Sequence, residues 1–153
     1  MRWESTHLGD VATVEREIVE PKAIASGTLY VGLEHIVTGG RFDGVGPVEA
    51  GDLASAKFAF DDRHVLFGKL RPYLAKVARP SFRGVCSTDI LPILPGPRVD
   101  RDFLARHLLQ PESVAIANAW ATGANLPRLS PSALAKLPVP LPPLAEQRRI
   151  ADI

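Results

Sequence analysis

Apolar residues change their spacing along the chain, dividing it into a strand-rich body and a helical end. Thr28-Leu-Tyr-Val-Gly-Leu33 is dense in β-branched and aromatic types and predicts a strand. Ala54 to Phe60 alternates in part, with Lys57 the polar position between Ala56 and Phe58, and predicts a half-buried strand. Asp61-Asp62 turns the chain. Val65-Leu-Phe67 then opens an apolar series that continues through Leu70, Tyr73, Leu74 and Val77 until Arg79-Pro80 closes it. Val85 to Leu94 predicts the most buried strand. Pro92 inside it implies an edge position or a bulge, because proline has no amide to give a ladder. Before this body, Leu8 to Val14 predicts a short element, with Gly9-Asp10 capping a single helical turn. The charged run Glu15 to Lys22 reads as loop or edge. Gly39-Gly40 and Gly44-Val-Gly46-Pro47 bracket a hairpin around Arg41 and Phe42.

After Pro95-Gly-Pro97 the period becomes helical. Asp100 caps a helix running from Arg101 to Gln110, with Phe103, Leu104, His107 and Leu108 at helical spacing. Pro111-Glu112 starts a second helix through Trp120, Thr122 to Asn125 forms a turn, and Ser130 to Leu137 is a short helix with Pro131 at its first position. Trp3 and Trp120 are expected as core anchors. Finally, Leu137 to Leu141 is an apolar strand running into a helix begun by Pro142 and Pro143. Leu144, Ala145 and Ala151 share one face of that helix with Leu141, flanked by Ile150 and Ile153, and three isolated turns are marginal in water. The face is therefore expected to meet another helix. Together these elements predict an α+β fold, a twisted and mainly antiparallel sheet with helices at one end.

Composition narrows the picture. A chain of 153 residues with 46 % hydrophobic content can bury one substantial core. No apolar run reaches membrane length, and the stretch Met1-Arg-Trp-Glu4 lacks a leader's apolar segment, so a cytoplasmic protein is expected. The single cysteine, Cys86, excludes an internal disulfide framework. Net charge is only +1, yet its distribution is uneven. Acids outnumber bases from Glu15 to Asp62, whereas Arg63 to Thr88 holds six Lys or Arg and no Asp or Glu.

That basic segment is the main candidate for function. Lys69, Arg71 and Lys76 bracket Tyr73, and Arg79 and Arg83 follow; cations replace counterions along phosphates, and planar Arg forks read base edges. The plain reading is a solvated strand face with Tyr73 packed inward, which composition alone favours. A second candidate is the loop holding Asn125, Pro127 and Arg128, either a polar anion-holding loop or a turn in which Gly123 and Asn125 supply positive φ. Catalysis would rest on Cys86 as nucleophile with His64 or His107 as base, but a lone cysteine in an apolar strand is usually a small core residue. His7 and His35 are isolated, and no spacing suits a metal, a dinucleotide or a P-loop. No cofactor is expected.

Several blocks in order carry a resemblance: Leu8-Gly-Asp-Val-Ala12, Phe67-Gly-Lys-Leu-Arg-Pro-Tyr73, Ser87-Thr-Asp-Ile90, Ala121-Thr-Gly-Ala-Asn-Leu-Pro-Arg-Leu129, and above all Leu141-Pro-Pro-Leu-Ala-Glu-Gln-Arg-Arg-Ile-Ala151. The chain resembles one half of a type I restriction-modification specificity subunit. That implies a target recognition domain over residues 1–141 and the start of a spacer or dimerisation helix over 142–153. It implies a non-catalytic subunit that binds one half of a bipartite site in double-stranded DNA and docks a DNA methyltransferase (modification) subunit and a restriction subunit. The resemblance turns the basic segment toward DNA and adds the loop around Arg41, which lies in the third of the chain that varies in what it binds. With one recognition domain, Leu144, Ala145 and Ala151 are expected to pair with a second copy in a homodimer. The competing reading is a protein-interaction module that keeps the fold but no longer reads DNA, favoured by the acidic stretch.

Overall fold

The computed structural model describes residues 3–153; Met1 and Arg2 of the N-terminal stretch considered above lie outside them. In chain order the elements are β1 (Glu4–His7), α1 (Leu8–Val11), β2 (Ala12–Val14), β3 (Ile18–Val19), β4 (Leu29–Val31), β5 (Gly46–Pro47), β6 (Lys57–Phe60), β7 (Val65–Gly68), β8 (Val77–Ala78), β9 (Gly84–Cys86), β10 (Ile90–Pro95), α2 (Arg101–Leu108), α3 (Pro111–Trp120), α4 (Pro131–Leu134), β11 (Pro138–Leu141) and α5 (Leu144–Ala151). Short 3-10 turns occupy Pro21–Ala23, Leu33–His35 and Pro72–Leu74. The fold is α+β and mainly antiparallel, as expected, but the strands divide among three sheets ordered β1-β11, β2-β10-β7-β8 and β3-β6-β9-β4-β5. The β4–β9 pair is parallel. The core lies between these sheets and the C-terminal helices, around the fully buried Leu66, Ile90, Leu91, Ile93, Leu104 and Leu134.

Helix α2 forms as its sequence predicts. The Asp100 carboxylate accepts the Phe103 amide at 2.9 Å, and Phe103, Leu104 and Leu108 turn inward. In α4, Ser130 Oγ caps the Ala133 amide at 3.1 Å with Pro131 in the first turn. Prolines 138 and 140 are tolerated in β11 because that strand pairs only with β1.

Five expectations need correction. The run Val85 to Leu94 is two strands in two sheets, β9 and β10, separated by a turn at 87–89 that an uninterrupted apolar pattern hides. Pro92 lies at neither an edge nor a bulge, since β10 is an inner strand. Its carbonyl accepts the Glu15 amide at 2.8 Å, so its missing N–H faces the side where β2 has already ended, and no ladder bond to β7 is lost. Lys57 is buried rather than solvated: at 7 % exposure its ammonium donates to Ser55 O and Oγ at 3.0 and 2.6 Å, with Nζ 5.9 Å from the Tyr30 ring centroid. Trp3 and Trp120 are 41 % and 42 % exposed and anchor no core. Gly9 and Asp10 lie inside α1, whose N-cap is His7.

Candidate nucleic-acid interface

Strand direction divides the basic segment between opposite ends of the domain. β7 runs from Val65 toward Gly68 and delivers Lys69, Arg71 and Tyr73 beyond its C-terminal end. β8 is antiparallel to it, so Lys76 stays near Gly68 while Arg79 is carried back toward the start of β7. There Arg79 pairs with Asp102 of α2 at 2.8 Å. Arg83 precedes β9, at the end where Phe60 pairs with Gly84, and borders a groove in which Glu15, Glu17, Asp61 and Asp62 outnumber it and Arg63, the latter paired with Asp61 at 2.8 Å. The uninterrupted stretch of positive charge in sequence is therefore no continuous face.

The structure instead joins pieces that are remote in sequence. Leu70 bridges Arg128, the Arg71 amide donates to Pro127 O at 2.8 Å, and the Leu129 amide donates to Lys69 O at 2.9 Å. The turn after β9 joins them, its Asp89 carbonyl accepting the Lys69 amide at 2.9 Å. Lys69, Arg71, Tyr73, Asn125 and Arg128 thus share one surface. Tyr73 is 53 % exposed there, so the expectation of an inward-packed ring fails. The exposed Leu126 and Trp120 belong to the same loop and the helix leading into it.

Arg128 is aimed. Its Nε donates to Asp89 Oδ1 at 2.8 Å, an ion pair that raises the guanidinium pKa further and leaves the terminal nitrogens free to meet an acceptor. Asp89 escapes a search for candidates because an acid is not sought in a cationic site; the Ser87-Thr-Asp89 turn is its only trace in the sequence. Lys76 is held differently, with Nζ donating to Leu33 O at 2.7 Å. Arg41 lies in the predicted hairpin, seen as an Ile36–Phe42 bridge, whose loop packs on the turn before β8 through Gly39 N to Ala75 O and Thr38 Oγ1 to Leu74 O. Gly40, at φ +103, is required there: an added Cβ would stand 2.3 Å from Val77 O.

The turn itself is strained. Arg71 and Ala75, on either side of Pro72–Leu74, both sit at φ +51, a left-handed conformation that costs a residue bearing Cβ about 1 kcal/mol. Asn125 is not among the residues with positive φ; in its loop only Gly123 is, at +120. This strain is held by the turn's surroundings, among them the Arg71 amide bond to Pro127 O and the Gly39 amide bond to Ala75 O. Ala75→Gly is expected to raise stability by about 0.5–1 kcal/mol in urea melts.

The alternative chemistry has no support. Cys86 is fully buried, and burial pushes its thiol pKa up to about 12, so no thiolate forms near neutrality. His64 is also buried, its Nδ1 accepting the Asp61 amide at 3.0 Å and its Nε2 facing Glu15 Oε1 at 2.6 Å. His107 Nε2 meets Pro138 O at 2.8 Å and fastens α2 to β11. Burial lowers the His107 pKa, with the Pro138 bond opposing it. The unfolded chain then binds a proton before the folded one. Stability is thus fully present above about pH 6.5 and falls as pH drops toward the lower folded value. Urea melts between pH 8 and 5 are expected to show this decline, and His107→Gln to flatten it.

At the C-terminus the expected stripe is divided. Ile150 and Ala151 pack on the domain's own core beside α2, Leu144 is half-buried, and Ala145 is exposed. The residue most enclosed in α5 is Gln147, which apolar patterning passes over.

The family model for the type I restriction modification DNA specificity domain matches residues 2–153. The type I restriction enzyme EcoDI specificity subunit of Escherichia coli is 31 % identical over 97 % of this chain, which spans 33 % of that relative's length. The HsdS subunit from Thermoanaerobacter tengcongensis superposes with a TM-score of 0.81 at 26 % identity, over 98 % of this chain and 40 % of that one. A chain solved for complex assembly and conformational transition of the type I R-M system shares the fold at TM-score 0.85 and 24 % identity, over 99 % of this chain and 40 % of its own length. A fold of this kind, with a family match along nearly its whole length, leaves one conclusion: the chain belongs to the type I restriction modification DNA specificity domain family.

Proposed function

We propose that residues 1–141 form a non-catalytic target recognition domain that binds double-stranded DNA and reads one half of a bipartite site. The observation that carries this reading is the union of the Lys69–Tyr73 turn with the Asn125–Arg128 loop, two cationic pieces held by reciprocal backbone bonds around an Arg128 aimed by Asp89. Lys69 and Arg71 make no side-chain hydrogen bond or ion pair among the described residues. They supply charge for phosphates, while Arg128 and Asn125 bear the geometry suited to base edges. The acidic groove at the opposite end repels a duplex that approaches the wrong way round. Residues 142–153 begin the spacer. The half-buried Leu144 and the exposed Ala145 are its surface for another helix, in a second copy or in the same longer protein. The methyltransferase and restriction subunits are the proposed protein partners, working in the cytoplasm.

The test is binding to duplex DNA across a range of salt concentrations. A steep negative slope of log affinity against log salt is expected. The acidic groove favours a second reading, a protein-interaction module, and the absence of duplex binding even at low salt would count for it against DNA recognition.

A further inference from the structure

We infer that Gln147 is a positioning residue that fixes the direction in which α5 leaves the domain. Its side chain is fully buried, and both its polar atoms are directed at main chain, in three hydrogen bonds. Oε1 accepts the Asp100 amide at 2.7 Å, while Nε2 donates to Arg98 O at 3.0 Å and to Pro142 O at 2.8 Å. One carboxamide thereby ties α5 to the loop ahead of α2 and to the joint between β11 and α5.

That joint needs an external tie. Pro142 and Pro143 have no amide to hold it, Pro143 gives the helix no side-chain cap, and the β1–β11 pairing ends at Leu141. Beyond Gln147, the helix is kept on the domain by the packing of Ile150 and Ala151. Apolar contact tolerates sliding and rotation, whereas hydrogen bonds from one planar amide to three fixed backbone groups admit a single orientation. A leucine of similar volume would fill the space but leave the Asp100 amide and the Arg98 and Pro142 carbonyls without this partner, so the polar side chain serves the main chain of both the loop and the joint. Asp100 takes part twice, capping α2 with its carboxylate and giving its amide to Gln147. Arg98 is itself paired with Glu4 of β1 at 3.1 Å. The helix is thus referenced to both the sheet pair and the helical layer. Resting on the proposed DNA reading, the consequence is that α5 carries the recognition surface at a set angle to whatever the helix joins.

The experiment measures that angle without DNA, so its failure is distinguishable from failure of the recognition proposal. Spin labels at Arg148→Cys on α5 and Glu112→Cys on α3, both exposed, report their separation by pulsed electron resonance, while the buried Cys86 stays unlabelled. A single narrow distribution is expected with Gln147 present, and at least a twofold broadening in Gln147→Leu at temperatures well below its melting point. Ile150→Ala, which removes packing but no hydrogen bond, is expected to lower the melting temperature with the distribution still narrow. An unchanged width in a folded Gln147→Leu protein would reduce Gln147 to a stabilising residue and overturn the inference. So would equal broadening in Ile150→Ala. Should Gln147→Leu fail to fold, Gln147→Glu decides: its second oxygen faces the Arg98 and Pro142 carbonyls, and a narrow distribution there would overturn the inference equally.

Discussion

Replacing Lys69, Arg71 and Arg128 together by alanine is expected to weaken duplex binding about a thousandfold at fixed salt. A charge-assisted hydrogen bond contributes about 1.5 kcal/mol, close to a factor of ten, and three are removed from one surface. The slope of log affinity against log salt should fall by about 0.9 for each phosphate no longer neutralised, and thus by about 1.8 for the Lys69 and Arg71 contacts. The control is the pair Arg79→Ala and Arg83→Ala. These residues come from the same uninterrupted basic segment but stand at the other end of β7 and β8, beside Asp102 and the acidic groove. Their removal is expected to leave the slope unchanged. If the control loses as much as the triple variant, DNA follows the segment as it reads in sequence and the division by strand direction has no functional meaning. None of the five side chains belongs to the core, so near-wild-type melting is the check that binding rather than folding was altered.

The contrast shows where sequence is informative. Charge composition locates Arg71 and Arg128 correctly as exposed cations and Lys69 as a half-buried one, but it gives no sign of the Asp89 carboxylate that pairs with Arg128. It is unable to pair the two loops, since the Leu70–Arg128 bridge joins positions that no periodicity relates. Nor is the reversal of Arg79 legible: it follows from the left-handed turn at Arg71 and Ala75, a conformation that neither residue type announces. Helices read well where a local signal exists, as with the Asp100 and Ser130 caps and Pro131. Gln147 is overlooked for the opposite reason. A glutamine on a short helix reads as solvated surface, and its partners Arg98 and Asp100 lie 49 and 47 positions away.

Strand assignment fails in an instructive way at the run from Val85 to Leu94, and the error bears on stability. Read as one strand with a proline, it belongs at an edge; resolved into β9 and β10, its second half is the inner strand between β2 and β7. The two readings predict different costs for neighbouring substitutions. At an edge, Leu91→Ala and Pro92→Ala would both be mild. In an inner strand Leu91, with no exposed surface, leaves a cavity that the flanking strands prevent from collapsing, and Leu91→Ala is expected to cost about 3 kcal/mol. For a domain of this size that lowers the melting temperature by roughly 6–12 °C. Pro92→Ala is expected to stay within about 1 kcal/mol of wild type, because its ring satisfies no ladder bond, and an alanine amide there would point to where β2 leaves the sheet. Paired urea and thermal melts read the difference directly. Equal costs, or a larger loss for Pro92→Ala, would mean that the proline rather than the leucine fixes β10, and that its inner position does not control the stability of this fold.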